Sequence, residues 1–234
     1  MSEARIAVVA EGPIDTVIIG AALRAVLQRP FILNQLQPEA TSQPKLGNGW
    51  CGVFKWCLQF RERGAGSLEA DATLAAFDLV IIHVDADIAD SAYSDGGADV
   101  VEAARALEPL PCSQPCPPAS ATVTSLEQVL RSWLGIPGTG PKSLFCIPSK
   151  ASDAWLAAAV LPDNHPLLAG LECKLHLATN LENLKLKLRV RKNVGAYRAR
   201  AAAITSHWAQ VMVHCAQAAK FDEDIRKRTE NFPI

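Results

Sequence analysis

The chain has 234 residues, 49% of them apolar and 20% charged, enough to bury a large core in one sizeable domain or in a domain with a smaller appendage. No apolar run reaches the length a bilayer crossing needs, and the N-terminal Met-Ser-Glu-Ala-Arg lacks a secretory pattern, so a cytoplasmic protein is expected. The net charge of −1 hides an asymmetry: Asn183 to Phe221 holds eight Lys or Arg and no acid, while the other 15 of the 23 basic residues stand against 24 Asp and Glu, which suits a polyanionic partner held near a cation.

In chain order, Ile6 to Ala10 is an unbroken apolar run, followed by Glu11, then Gly12-Pro13, then the apolar-periodic Ile14 to Leu27. This describes a buried strand handing over to a helix, with a carboxylate at the handover. A charge there is not core filling; it caps something or it works. Pro30 to Leu36 reads as a second strand, Pro38 to Gly49 as a connection, and Trp50 to Arg63 as a helix with Trp50, Val53, Phe54, Cys57 and Leu58 on one face. Gly64 and Gly66 break it, and a short helical run leads to Asp78. Leu79 to Val84 is apolar on both faces apart from His83, the pattern of a central strand in a parallel sheet. His83 reads as a hydrogen-bonded strand histidine rather than a ligand. Asp85 and Asp87 follow directly, with Asp90 beyond, and helix capping or turn chemistry explains such acids as readily as a metal does.

Asp99 to Leu107 is predicted to be a helix and Pro109 to Pro118 a rigid connector or lid. Cys112 and Cys116 lie in that loop without a second ligand pair, so they predict no zinc site, and the seven cysteines, an odd number among apolar neighbours, suit reduced thiols. Thr124 to Leu134 is an amphipathic helix capped by Thr124 or Ser125 and ended by Gly135. Ser143 to Ile147 is a third apolar strand, running through Pro148-Ser149-Lys150-Ala151-Ser152-Asp153 into a helix from Trp155 to Leu161. Ser149, Ser152 and Asp153 suit a helix start. Lys150 gains nothing there unless a phosphate is held beside it.

Beyond Gly170, Lys185 to Arg191 alternates strictly, as a strand with four cations on one face or as a helix with the cations spread around it; the lack of aromatic and Thr residues favours the helix. Ala196 to Lys220 reads as one long helix whose Tyr197, Ile204, Trp208, Val211, Cys215 and Ala218 pack on the sheet or on a second subunit. Trp208 is then core rather than a base-stacking residue. Lys192, Arg198 and Arg200 are phosphate contacts or a solvated face. His207 and His214 are given no role.

Alternating strands and helices imply a parallel sheet whose strand carboxyl ends share one edge, where such sheets bind ligands. Glu11, Asp85, Asp87, Ser149, Lys150 and Asp153 all follow strand ends. Carboxylates crowded together raise one another's pKa unless a cation sits between them, and Mg²⁺ or Mn²⁺ is the natural occupant. Glu11-Gly12 after the first strand, with Asp85-Ala86-Asp87 after a later one, resembles the TOPRIM fold of topoisomerases, bacterial primases and OLD-type nucleases over roughly residues 5–160. The turn at Pro148-Ser149-Lys150 and the step Asp153-Ala154-Trp155 resemble compact TOPRIM-like proteins of bacterial antiviral defence.

The resemblance implies an α/β, Rossmannoid, mostly parallel sheet flanked by helices over residues 1–169; the residues themselves predict a basic, mainly helical C-terminal extension over 170–234. It implies Mg²⁺ (or Mn²⁺) held by Asp85 and Asp87, with Glu11 as a ligand or as general acid or base. Ala89 stands where many members carry a third acid, which leaves Asp90 or Asp153 for a further ligand. The tyrosines are Tyr93 and Tyr197 alone, with no sign of a topoisomerase nucleophile or of the large gate domains. The expectation is a metal-dependent nuclease on DNA or RNA, with Glu11 and Lys150 catalytic, Glu11, Asp85, Asp87 and Asp153 at the metal, and Lys192, Arg198 and Arg200 on nucleic acid. Two alternatives stand beside it. One is a subunit that acts through a separate ATPase, since Gly138 to Ser143 lacks Walker A spacing; the other is a phosphohydrolase of small substrates. A homodimer through the C-terminal helices fits any of the three.

Overall fold

The computed structural model describes residues 3–41, 43–230 and 232. Four strands, β1 (Ala4–Val9), β2 (Phe31–Gln37), β3 (Leu79–His83) and β4 (Ser143–Cys146), form one sheet in the order β2-β1-β3-β4, and every pairing is parallel. The strand carboxyl ends therefore lie along one edge, as the alternation predicted. Helix α1 (Pro13–Leu27) starts from an extended Gly12 with proline at its first position, where the missing N–H costs nothing, and ends at Gln28 in the left-handed region.

The period of two along each strand divides the core. Ile6, Val8, Leu79, Ile81, Leu144 and Cys146 face one apolar layer; Ala7, Val9, Val80 and Ile82 face the other. Helices α2 (Gly49–Glu62), α3 (Ala98–Ala103) and α4 (Ala119–Leu134) cover the second face. The first is covered by α1, α5 (Asp153–Val160), α6 (Leu177–Glu182), α7 (Val194–Ser206), α8 (Trp208–His214) and α9 (Ala216–Thr229). Trp155 of α5 is buried against Trp208 and Phe221, at ring-centroid distances of 5.3 Å to each. The Thr205 hydroxyl donates to Ala21 O and ties α7 to α1. Among the described residues no helix is long and apolar enough to cross a membrane.

Several predicted elements take another form. The run before Asp78 is a series of turns rather than a helix, because Asp71 accepts from the Thr73 N–H, the Thr73 hydroxyl and Arg63 Nε. Helix α3 stops at Ala103. Helix α4 begins at Ala119, straight after the prolines, so Thr124 and Ser125 lie inside it and their hydroxyls donate back to Ser120 O and Ala121 O; Gly135 ends it as expected, at φ 67°. Residues 185–191 are neither strand nor helix but a turn-rich loop, with Leu186 83% exposed. The long C-terminal helix is three, broken at His207, whose Nδ1 lies 3.0 Å from Ala159 O, and at an extended Cys215.

The cysteines also differ from the all-thiol expectation. Cys116, in the proline loop, forms a disulfide with Cys173 after α5, and Cys51, Cys57, Cys112, Cys146 and Cys215 are free. An odd count leaves room for a pair, and the fold brings these two positions together across 57 residues of sequence.

Candidate metal centre

Glu11 follows β1 and Asp85 follows β3, 74 residues apart in sequence. At the carboxyl edge of the sheet Glu11 Oε1 accepts the backbone N–H of Asp85 at 2.8 Å. The β4 end joins them. The Ser152 N–H donates to Asp85 Oδ1 at 2.8 Å, and its hydroxyl donates to Asp15 Oδ1 at 2.7 Å. The loops after β3 and β4 are also joined directly, Ala86 N–H to Ser149 O and Asp87 N–H to Lys150 O.

The β-strand alternation explains the next neighbour. His83 shares its face with Leu79 and Ile81, the face that α1 covers, and Asp15 projects from the first turn of α1. His83 is wholly buried, with Nε2 3.3 Å from Asp85 Oδ1. At that distance Nε2 pairs with the Asp85 carboxylate when the ring is protonated, while Nδ1 has no partner among the described residues. One ligand atom from each of Asp15, His83 and Asp85 lies within 4.8 Å of the others.

Crowding sets the electrostatics. Burial, reinforced by the charge of Asp85, pushes the Glu11 carboxyl well above its ordinary value, and His83 only partly offsets this. Burial likewise raises Asp85 to about 7, with His83 lowering it and Asp15 raising it further. For His83 burial disfavours the cation, but Asp85, Asp15 and Glu11 together outweigh it and lift the imidazole to about 9. The donor set fits a divalent ion on these grounds: several oxygen donors whose mutual repulsion a cation would relieve, and a buried imidazole nitrogen with no other partner.

The remaining predicted residues stand around this cluster. Asp87 is at the surface; desolvation raises its carboxyl, while Lys150 and Lys192 pull it down. Lys192 acts on Asp153 as well, so the basic loop borders the centre. Asp153 is buried and accepts the Tyr197 hydroxyl, which turns it toward α7. Burial raises its carboxyl despite that bond. Lys150 Nζ lies 2.6 Å from Asp90 Oδ2, and that contact holds the Asp90 carboxyl below its usual range. Arg200 donates to Lys187 O at 3.1 Å and so fastens the basic loop to α7, while Arg198 is exposed.

Asp15, His83, Ser152 and Tyr197 complete the constellation, and the sequence reading gave none of them a place in it. Two signals were available: a titratable residue inside an otherwise apolar strand, two positions before an acid, and an acid one helical turn after Glu11. No protein-family model matches the chain, and neither a curated protein nor a solved structure matches it.

Proposed function

We propose that the chain is a divalent-metal-dependent phosphodiesterase on a TOPRIM-like sheet, acting as a nuclease on DNA or RNA. The observation that carries this reading is the meeting of the β1 and β3 ends at one rim: Glu11 Oε1 accepts the Asp85 backbone N–H at 2.8 Å, and the Asp85 carboxylate clusters with Asp15 and His83. Asp85 and Glu11 would hold the ion, with Asp15 and His83 in reach and Asp87 beside them. Oxygen donors with one imidazole suit Mn²⁺ at least as well as Mg²⁺. Such an ion supplies Lewis-acid stabilisation of phosphate charge and a more acidic water.

The chain's own residues do the rest. Glu11 Oε1 is committed to the Asp85 N–H, which leaves Oε2 either to complete the ion's shell or, with the ion held by Asp85 and its neighbours, to take or give a proton. Ser152 fixes the Asp85 and Asp15 carboxylates relative to each other through one backbone and one hydroxyl donor. Lys150 and Lys192 bring positive charge beside Asp87, and the basic stretch 185–200 would steer a phosphodiester backbone toward it. The test is cleavage of single- and double-stranded DNA and RNA by purified protein in Mg²⁺ or Mn²⁺. Glu11→Gln and Asp85→Ala should each reduce it by about 100-fold or more with an unchanged circular dichroism spectrum; undiminished cleavage by either variant retires the reading.

A second reading rests on the state of the cations. Lys150 is engaged by Asp90 and Arg200 by Lys187 O, so phosphate contacts through them need a rearrangement. That favours a subunit activated by a partner such as a separate ATPase. Metal binding without cleavage until such a partner is added is its signature.

A further inference from the structure

The opposite edge of the sheet holds a second concavity, of about 570 Å³, that the metal centre does not use. It opens where β3 and β4 begin: Asp78 immediately precedes β3 and Lys142 immediately precedes β4. The end of α9 closes it with Lys227 and Arg228, and Phe232 lines its wall. Three cations line it with Asp78, in a pocket of the size that takes a small organic ligand; Asp224 pairs with Arg228 at 2.9 Å, and Glu69, packed on Gly140, accepts the Lys142 N–H.

The arrangement of the cations separates this pocket from an ordinary solvated surface. Arg228 is held in place: Nε donates to Ser143 O at 2.6 Å, Nη1 to Asp224 O at 3.2 Å and Asp224 Oδ1 at 2.9 Å, and Nη2 to Thr139 Oγ1 at 3.4 Å. A guanidinium has five N–H groups, so one hydrogen on Nη2 remains without an acceptor. Neither the Lys142 nor the Lys227 ammonium has an acceptor among the described residues, and both are exposed. One oxygen of Asp78 accepts the Arg5 N–H at 2.8 Å, and the other has no such bond. A fixed Arg with two unpaired Lys matches the several acceptor oxygens of a phosphate. Pro141 and Phe232, the latter 8% exposed with the Arg29 guanidinium 5.2 Å from its ring centroid, give an apolar wall for a ring, and the spare Asp78 oxygen accepts from a hydroxyl or amino group.

We propose that this concavity binds a nucleoside phosphate, with the phosphate on Lys142, Lys227 and Arg228 Nη2 and the nucleoside toward Phe232 and Asp78. The site is independent of the metal centre and of the nuclease reading. Titration calorimetry on the full chain in EDTA, with AMP, GMP, adenosine, guanosine and inorganic phosphate as probes, tests it. EDTA removes any contribution from a metal-bound phosphate. AMP or GMP should bind about tenfold or more tightly than its nucleoside and than inorganic phosphate. Lys142→Ala with Lys227→Ala should weaken that binding about tenfold or more, while Asp85→Ala leaves it unchanged. Both lysines are exposed, so the double variant should keep its circular dichroism and melting curve. No binding of either nucleotide at millimolar concentration, binding no tighter than that of phosphate, indifference to the double substitution, or loss in Asp85→Ala would each overturn the proposal.

Discussion

At the scale of single residues, His83 has no exposed surface and is flanked by the carboxylates of Asp85, Asp15 and Glu11. This grouping makes the metal-free protein sensitive to pH in a definite direction. Asp85 rises from an ordinary 3.8 to about 7 and His83 from 6.5 to about 9, so the folded chain binds more protons than the unfolded chain between these values. Their contribution to stability is complete below the unfolded values and is lost as pH rises through about 7 and then about 9. The acids held below their usual range, Asp71, Asp90, Asp99 and Asp224, weaken folding only near pH 4 and lower, outside that window. In EDTA, the Tm should therefore be higher at pH 5.5 than at pH 8.5, by roughly 5 °C. Mn²⁺ should raise the Tm more at pH 8.5 than at pH 5.5, because the ion replaces the protons. A Tm that falls on acidification from 8.5 to 5.5 would contradict the crowding. Tyr197→Phe removes the hydroxyl donor from a buried Asp153 and should cost about 1–3 kcal/mol in urea unfolding. Glu11 and Asp85 were legible in the sequence because a charge directly after a buried strand has few structural uses. Asp15 and His83 were not, since a helix-start acid and a strand histidine each have an ordinary explanation until the register shows that they face one another.

Among the elements, the strands were legible wherever both faces are buried: β1, β3 and β4 read as continuous apolar runs because helices cover the sheet on each side. The segment 185–191 misled because alternation implies a strand only when another strand is there to pair with it. The break of the C-terminal helix has a geometric reason. Its apolar residues at 197, 204, 208, 211, 215 and 218 average 3.5 residues per turn, and a straight α-helix drifts away from that stripe. The interruptions at His207 and Cys215 reset the phase, so Tyr197, Ile204, Trp208, Val211, Cys215 and Ala218 all stay buried. The disulfide was hidden because sequence spacing does not show which loops meet. It fastens the proline loop, whose Cys112 and Ser113 N–H groups bond to Ala89 O beside the acidic turn, to the segment whose Glu172 O accepts the Lys150 N–H. Cys116→Ser should lower stability by about 2–4 kcal/mol in urea unfolding under non-reducing conditions. No change would contradict a bridge that stabilises the fold by fastening these two segments.

For the molecule as a whole, the acidic body and the basic stretch 185–200 meet beside the candidate metal centre, where Lys192 acts on both Asp87 and Asp153. Affinity for single-stranded DNA in Ca²⁺, which should occupy the site without supporting cleavage, is expected to fall steeply with salt. Lys192→Ala should reduce the slope of log K against log salt by about 1. A salt-independent affinity would leave the basic stretch without a role in binding. The claim on which the functional reading depends is narrower: acids from the ends of β1 and β3 share one divalent ion. A crystal soaked in Mn²⁺ and measured at the manganese absorption edge tests it most directly. The expected result is a single anomalous peak at that edge of the sheet, within about 2.5 Å of a carboxylate oxygen of Glu11 and of Asp85. No peak between them at saturating Mn²⁺, or one that touches neither residue, would contradict a shared centre.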